Sequence, residues 1–205
     1  MAKLNFRYGT MNSGKSIDLM RVAHNYEENG YSIVVMKPKI DTKGKNMLDS
    51  RIGMRRKVDI LIDSNTNIME EIKNTKKDNL ACIFVDEAQF LNKEQIDELF
   101  LITKILDIPV VCYGLRNNFK MEGFAGSDRL LEIAEEIVEI KTLCKCGNIA
   151  RYVGRKVNDF YMLEGDVVLI DGKEDKVEYV PLCGNCYLNE VKKIDKVKVK
   201  SKYRI

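Results

Sequence analysis

Eight residues near the start of the chain have the types and spacing of a phosphate-binding loop. They follow the pattern G-x-x-x-x-G-K-[ST] and are Gly9, Thr10, Met11, Asn12, Ser13, Gly14, Lys15 and Ser16. In this pattern the glycines let the backbone curl, so that successive N–H groups face one anion. The lysine reaches the outer phosphates of a nucleotide, and the final hydroxyl can ligate Mg²⁺. The stretch therefore predicts a nucleotide site.

Two neighbouring carboxylates, Asp86 and Glu87, follow an apolar run that ends at Val85. Asp86 closes the run as a Walker B carboxylate does and would point at a Mg²⁺ ion held by Ser16, although a buried Asp that caps the next turn is the alternative. Glu87 is not needed to bind the ion, which suggests a base that accepts a proton from the nucleophile. That nucleophile could be water, as in an ATPase, or a substrate hydroxyl, as in a kinase, and the carboxylate pair does not distinguish the two.

Four of the six cysteines form two close pairs, C-x-C and C-x-x-C. The pairs are Cys144 with Cys146 and Cys183 with Cys186. Four thiolates can close a tetrahedral structural Zn²⁺ site, and Gly184 eases the second turn. The first pair is one residue tighter than usual, and two unrelated reduced pairs are the alternative. We expect zinc here, and we expect Cys82 and Cys112, which lie in apolar runs, to be core residues.

The elements that must position these groups alternate between strand and helix. Leu4, Phe6 and Tyr8 alternate with polar residues before the phosphate loop, and helical spacing follows it. Further along the chain, the patterns predict strands at 31–36, 58–62, 81–85 and 109–113, and helices at 68–77, 92–105 (capped by Asn92) and 127–136. This alternation predicts an α/β fold of the P-loop NTPase type, with a parallel sheet and helices on both faces.

The pattern changes after Thr142, where β-rich runs and glycine turns lie between the cysteine pairs. We expect a P-loop domain at 1–141, a small zinc-ribbon-like domain at 142–190, and a basic, disordered tail at 191–205. The basic stretch 39–57 has little periodicity. A solvated loop and a mobile loop near the phosphates are equally good interpretations of it.

Composition limits the classes of function. The chain has 205 residues and a net charge of +3, which is too small to argue for a nucleic-acid partner. It has no apolar leader and no run of about 18 apolar residues, so we expect no export signal and no membrane partner. Six cysteines without an export signal favour reduced thiols or metal, as in a cytoplasmic protein.

Taken together, these segments resemble the zinc-containing, type II thymidine kinase family over roughly residues 3–188. The D-E-A-Q-F run at 86–90 and the Y-G-L-R-N-N-F run at 113–119 are more specific than the phosphate loop. So are the cysteine pairs, which enclose V-V-L-I-D-G at 167–172.

The resemblance implies transfer of the γ-phosphoryl group of ATP to the 5′-hydroxyl of thymidine or deoxyuridine, with Mg²⁺, in a homotetramer. Glu87 would be the base, and residues 9–16, Asp86 and Gln89 would bind ATP. A lasso loop between the cysteine pairs would close over the base. The nucleoside would contact Met11, Phe90, Leu115, Phe119, Phe124, Val167, Leu169 and Tyr179.

Three positions depart from the family pattern. The family's D-x-R motif appears as Asp41-Thr42-Lys43, and a lysine cannot reproduce a bidentate guanidinium contact. Asp171 stands where the lasso usually has glycine, and Tyr179 lies about two residues late. Two alternatives to a kinase are a nucleic-acid-dependent ATPase, since D-E-A-Q resembles helicase boxes, and a non-catalytic zinc adaptor.

Overall fold

The structure of the protein, a computed structural model, describes residues 1–39, 46–75, 77–166 and 176–191. The chain divides into two compact units. The first, here called the sheet unit, contains residues 1–9, 13–116 and 123–140. The second, here called the cysteine unit, contains residues 10–12, 117–122 and those from Lys141 onward.

The sheet unit contains eight described strands. They are β1 Leu4–Tyr8, β2 Ser32–Pro38, β3 Met47–Asp49, β4 Arg55–Lys57, β5 Ile60–Ile62, β6 Leu80–Val85, β7 Val110–Gly114 and β8 Glu136–Glu139. Six of them form one sheet in the order β5-β2-β6-β7-β1-β8, and every neighbouring pair is parallel. The ends of β1 and β6 therefore lie at the carboxyl edge of this sheet, where open α/β sheets bind ligands.

Four helices cover the two faces of the sheet. They are α1 Lys15–Glu28, α2 Ile68–Asn74, α3 Lys93–Ile105 and α4 Ala125–Ile133. Residues of α1 pack with Ile33 and Val35 of β2 in one core, and residues of α2, α3 and α4 pack with Val34 and Met36 in the other. Strand β2 is thus buried on both faces, which explains its continuous apolar run. The predicted parallel sheet with helices on both faces is confirmed.

Helix α3 begins as predicted, because Asn92 caps it. The Asn92 side chain accepts a hydrogen bond from the backbone N–H of Gln95 at 2.8 Å, and the Gln95 side chain accepts one from the backbone N–H of Asn92 at 3.2 Å. This reciprocal capping box satisfies two donors that would otherwise have no partner in the helix.

The predicted helix at 127–136 is wrong at both ends. Helix α4 begins at Ala125 and ends at Ile133, and residues 136–139 form strand β8. After Ile133 the chain turns so that the backbone N–H of Glu135 donates to the carbonyl of Leu4, at 2.9 Å. Pairing with β1 therefore takes the backbone groups that a longer helix would have used. Ile137 and Val138 are β-branched and suit the strand.

Part of the basic stretch is a hairpin and not an irregular loop. Strands β3 and β4 pair antiparallel, and Leu48 is buried in the core beneath α1. Arg56 makes two 2.7 Å hydrogen bonds to the Glu27 carboxylate. The hairpin is therefore attached to the sheet unit by packing and by an ion pair. Lys43 lies outside the described residues.

The described part of the cysteine unit contains five short strands. They are β9 Thr142–Leu143, β10 Ile149–Ala150, β11 Tyr152–Val157, β12 Phe160–Met162 and β13 Val177–Leu182. β9 pairs with β10, and β11 lies between β12 and β13 in an antiparallel sheet. A helical turn over Gly184–Cys186 continues into a π-helical turn over Tyr187–Val191. Among all the described residues, no helix is long and apolar enough to cross a membrane.

Candidate active site

The phosphate-loop residues of the sheet unit connect the end of β1 to the start of α1. Gly14 precedes α1 and has a left-handed backbone (φ +85°). Because glycine has no side chain, it offers no side-chain acceptor to the first N–H groups of the helix. A Cβ on Gly9 would lie 2.4 Å from Ser13 Oγ and 2.6 Å from the carbonyl oxygen of Ile140, so only glycine fits. Such a helix N-terminus favours anions. Thr10, Met11 and Asn12 fall in the cysteine unit.

Ser16 and Asp86 form a hydrogen-bonded pair at the carboxyl edge of the sheet. The Ser16 hydroxyl donates to Asp86 Oδ2 at 2.9 Å. Asp86 is only 3% exposed, and its Oδ1 atom has no hydrogen-bond partner among the described residues. A buried carboxylate oxygen without a partner, beside a hydroxyl, is a donor set that suits Mg²⁺. The pair therefore fits the ion predicted from the sequence.

The charges of Lys15, Asp86 and Glu87 act on one another. Burial and, after it, the charge of Glu87 raise the pKa of Asp86 to about 7, although the Ser16 hydrogen bond and the charge of Lys15 act in the opposite direction. Burial lowers the pKa of Lys15, against the pull of Glu87 and Asp86. Buried titratable groups of this kind are common at functional sites.

Glu87 has an unusual backbone conformation. It lies between β6 and the 3₁₀ turn Ala88–Phe90 with φ +51° and ψ +37°, in the left-handed region. A non-glycine residue held there costs about 1 kcal/mol or more, and such strain is often found at functional positions. The two adjacent carboxylates have different partners. Asp86 accepts a hydrogen bond from the Ser16 hydroxyl, whereas Glu87 Oε2 accepts a 2.6 Å hydrogen bond from the Gln89 side chain.

Gln89 links Glu87 to the end of strand β7. Its Oε1 atom accepts a hydrogen bond from the backbone N–H of Leu115 at 3.0 Å. The Leu115 carbonyl in turn accepts one from the hydroxyl of Ser127, at the start of α4, at 2.5 Å. Sequence reasoning missed Ser127 and this link, because no local pattern brings residues 89, 115 and 127 together.

The residues predicted to line a nucleoside pocket fall in both units. In the sheet unit, Phe90 and Phe124 meet edge to face, with ring centroids 5.6 Å apart. The backbone N–H of Leu115 donates to the side chain of Gln89, the residue before Phe90. Met11, Phe119 and Tyr179 belong to the cysteine unit. Val167 and Leu169 lie outside the described residues, as does Asp171.

Within the cysteine unit, Phe119 is held from two sides. The Arg155 guanidinium lies 3.7 Å from the centroid of its ring, and the Tyr187 hydroxyl donates to its carbonyl. Arg155, which is buried, also donates to the carbonyls of Glu164 and, at 2.5 Å, Asp166. Tyr179 pairs with Arg155 across β13 and β11. The sequence analysis did not identify Arg155 or Tyr187 as site residues. The position of Tyr187 directly after Cys186, a predicted zinc ligand, is the one local signal that could have drawn attention to it.

The four predicted metal-binding cysteines come together. The sulfur atoms of Cys144, Cys146, Cys183 and Cys186 all lie within 4.8 Å of one another, and those of Cys146 and Cys183 are 3.5 Å apart. Tetrahedral Zn²⁺ with Zn–S bonds of about 2.3 Å needs sulfur atoms about 3.8 Å apart, so the cluster fits zinc. Hydrogen bonds from the backbone and side chain of Asn148, followed by those with Cys183 and Cys186, lower the pKa of the Cys146 thiol to about 6, which favours the thiolate.

The other two cysteines are core residues, as predicted. Cys82 and Cys112 are buried among apolar side chains of the sheet unit. Burial raises the pKa of Cys82 to about 12 and raises that of Cys112 as well, so both are inert thiols at neutral pH.

Comparison with known proteins gives a consistent result. A family model described as "Thymidine kinase" matches residues 2–187. Thymidine kinase from Streptococcus gordonii is 42% identical over 189 residues, covering 91% of this chain and 96% of that protein. The thymidine kinases of Streptococcus agalactiae and Streptococcus pyogenes are each 41% identical over 191 residues, covering 92% of this chain and 98% of theirs.

Among solved structures, the Pif1 helicase of Candida albicans is similar at a TM-score of 0.39 and 16% identity, covering 68% of this chain and 36% of that one. A likeness of that size carries no argument about function.

Proposed function

The chain belongs to the thymidine kinase family, and on that premise we propose that it transfers the γ-phosphoryl group of ATP to the 5′-hydroxyl of thymidine, and of deoxyuridine, in nucleoside salvage. The observation that carries the proposal is the separation of two adjacent carboxylates. Asp86 accepts a hydrogen bond from the hydroxyl of Ser16, whereas Glu87 accepts one from the side chain of Gln89. One carboxylate thus serves the nucleotide and the other remains for the attacking hydroxyl.

The reaction divides between these groups. The Glu87 carboxylate accepts the proton of the 5′-hydroxyl as the bond from O5′ to the γ-phosphorus forms. The bond from the γ-phosphorus to the β–γ bridging oxygen breaks at the same time, and ADP leaves. The backbone of residues 9–16 holds the phosphates, and the Lys15 ammonium offsets their charge. Ser16 and Asp86 would hold Mg²⁺, which when bound neutralises charge on the phosphate oxygens.

The nucleoside is proposed to contact Phe90, Leu115 and Phe124, and also Met11 and Phe119. Main-chain groups near Val167, Leu169 and Tyr179 would bind the pyrimidine. A site built of buried hydrogen-bonding groups rejects a mismatched ring strongly, since those groups are then unpaired. Purine nucleosides should therefore be poor substrates.

The cysteine cluster is proposed to hold a structural Zn²⁺ ion, with all four ligands from the protein and no open position for catalysis. The enzyme is further proposed to act in the cytoplasm as a homotetramer, without a nucleic-acid or membrane partner.

The first test measures ADP release from ATP with thymidine, with deoxyadenosine or deoxyguanosine, with single-stranded DNA, and with no acceptor. Thymidine-dependent release is expected. Release that depends on DNA instead would identify a nucleic-acid-dependent ATPase, and no release under any condition would favour an adaptor. Turnover of purine nucleosides comparable with that of thymidine would contradict the proposed pocket.

The second test concerns Glu87 itself. Glu87→Gln keeps size and hydrogen bonding but removes the basic site, so the single-turnover rate should fall by roughly 10²- to 10⁴-fold with near-normal binding of ATP and thymidine. Glu94→Gln is the matched control, since Glu94 is an exposed carboxylate in the first turn of α3. A wild-type rate in Glu87→Gln would show that Glu87 is not the base. Greatly weakened binding of ATP·Mg²⁺ would show instead that Glu87 acts with Asp86 on the metal ion.

A further inference from the structure

We propose that Gln89 is a positioning residue for the base Glu87, and that it acts on the hydroxyl side of the reaction instead of binding ATP. The inference rests on the proposed function, because it assigns a role relative to Glu87. The resemblance alone assigns Gln89 to the nucleotide. The hydrogen bonds of its side chain support a different role.

The orientation of the Gln89 amide is fixed by its partners. A backbone N–H can only donate, so the Leu115 N–H requires the amide oxygen at 3.0 Å. The amide nitrogen must then face Glu87 Oε2, at 2.6 Å. A flipped amide would leave Leu115 without an acceptor and would set an oxygen against a carboxylate. Gln89 therefore always presents a donor to Glu87, and it is 2% exposed, so water does not replace that donor.

The surroundings of Gln89 are built to this geometry. A Cβ on Gly114 would lie 2.8 Å from Gln89 Oε1 and 3.2 Å from its backbone nitrogen, so β7 has to end in glycine for the amide to approach. On its other side, the Leu115 carbonyl accepts from the buried Ser127 hydroxyl. The N–H and the carbonyl of Leu115 are thus both held in place. The Leu115 N–H therefore stays where it requires the amide oxygen of Gln89 as its acceptor.

The same packing extends to the turn that carries Gln89. A Cβ on Gly126 would lie 2.5 Å from the carbonyl oxygen of Ala88 and 3.1 Å from that of Gln89, so the start of α4 packs directly on this turn. Because the turn cannot move away, the donor holds one carboxylate oxygen of Glu87 in place. The other oxygen remains for the substrate hydroxyl. Misplacing a reacting group by about 1 Å can cost roughly 10²-fold in rate.

The test separates kcat from KM in Gln89→Leu and Gln89→Glu. Leucine removes both hydrogen bonds at similar size. An ionised Glu keeps an acceptor for Leu115 but cannot donate to Glu87. In both variants kcat should fall by roughly 10- to 100-fold, with KM for ATP changed by less than about twofold. The Glu variant keeps a polar side chain of similar size, so it still tests the idea if the Leu variant does not fold. Its carboxylate adds repulsion of Glu87 to the lost donation, so kcat should fall at least as far as in the Leu variant.

Gln95→Leu is the matched control. Gln95 is also a buried glutamine of the sheet unit, and its amide donates to the carbonyl of Asp63 at 2.7 Å, away from Glu87. This variant should lose stability and keep its kcat. A wild-type kcat in both Gln89 variants, or a raised KM for ATP at constant kcat, would overturn the inference.

A double-mutant cycle completes the test. If Gln89 acts only through Glu87, adding Gln89→Leu to Glu87→Gln should slow the reaction by less than about twofold beyond Glu87→Gln alone. Multiplied losses would mean that Gln89 acts independently of the base, and the inference would be wrong. If the wild type does not phosphorylate thymidine, the proposed function itself has failed. If the wild type does so and Glu87→Gln is fully active, Glu87 is not the base, and this inference fails while the proposed activity stands.

Discussion

The sheet unit and the cysteine unit hold their functional side chains by different means. In the sheet unit, two apolar cores cover the faces of a six-stranded sheet, and Ser16, Asp86 and Glu87 lie at its edge. In the cysteine unit, the described core is much smaller, and two of its six buried members, Cys144 and Cys183, are zinc-ligand candidates. Domains too small to bury a large core commonly depend on disulfides or metals. The comparison therefore suggests that apolar burial maintains one unit and that the thiol cluster maintains the other.

The largest effect should follow removal of a zinc ligand. Cys183→Ser should release the metal and raise backbone hydrogen exchange across residues 144–166 and 176–191, because structural zinc contributes on the order of 10 kcal/mol in small peptides. Exchange in β6 and β7 should stay close to wild type. Cys112→Ser, in the core of the sheet unit, is the control and should keep its zinc. Elemental analysis that finds no zinc in the wild type would end the idea.

Next in size is a pair of phenylalanine truncations, one in each unit. Phe84 is fully buried beneath α1 and meets Tyr26 edge to face at 5.8 Å, so Phe84→Ala should cost about 3–5 kcal/mol of unfolding free energy. Phe160 lies on β12 and is 73% exposed, so Phe160→Ala should cost less than about 0.5 kcal/mol. Urea denaturation measures both. Similar losses would show that the cysteine unit, too, depends on apolar burial.

A smaller effect, of opposite sign, is expected from Asp86→Asn. The pKa of Asp86 is raised from 3.8 to about 7, so the folded protein binds this proton more tightly than the unfolded chain does. Stability is therefore lost as pH rises from about 4 to about 7, and the loss persists above that range. Without added Mg²⁺, Asp86→Asn should be more stable than wild type at pH 8, and the difference should shrink towards pH 5.

The control for this pH series is Asp78→Asn, since Asp78 is an exposed carboxylate of the same unit. This variant removes one surface charge and leaves the Ser16–Asp86 pair intact, so comparison with it isolates the buried carboxylate. Equal pH slopes for wild type and Asp86→Asn would contradict the assignment of the slope to Asp86.

The smallest effect should come from the cap of α3. Asn92→Ala removes the side-chain acceptor of the capping box and should cost about 1 kcal/mol, measured as a shift of the urea midpoint at constant slope. Asn25→Ala, at an exposed position within α1, should not destabilise the protein. A loss at Asn92 no larger than that at Asn25 would mean that packing alone fixes where α3 begins.

Much of the sheet unit could be predicted from sequence because its signals are local. Strand β1, the glycine pattern and the start of α1 adjoin one another, and Asp86 directly follows an apolar run. The capping residue Asn92 has its partner three positions on. Each of these patterns is complete within a few residues, so periodicity and spacing suffice to find it.

What the sequence did not predict depends on contacts between distant residues. The predicted helix extended to residue 136, yet residues 136–139 pair with β1 as a strand, because tertiary contacts often override local patterns. The hairpin of β3 and β4 is short, and its charged strand β4 has no apolar alternation. The bonds from Gln89 to Leu115 and from Ser127 to Leu115 join three elements, and no single-sequence pattern encodes them.

The left-handed backbone of Glu87 has a consequence for laboratory evolution. Glycine adopts this conformation at no steric cost and asparagine at little, so either residue at position 87 should relieve strain that the working enzyme retains. A library selected only for heat resistance, without selection for growth on thymidine, should accumulate Gly or Asn at this position, and those survivors should be inactive. If glutamate persists at position 87 through such a selection, its left-handed backbone conformation does not measurably lower the stability of the folded protein.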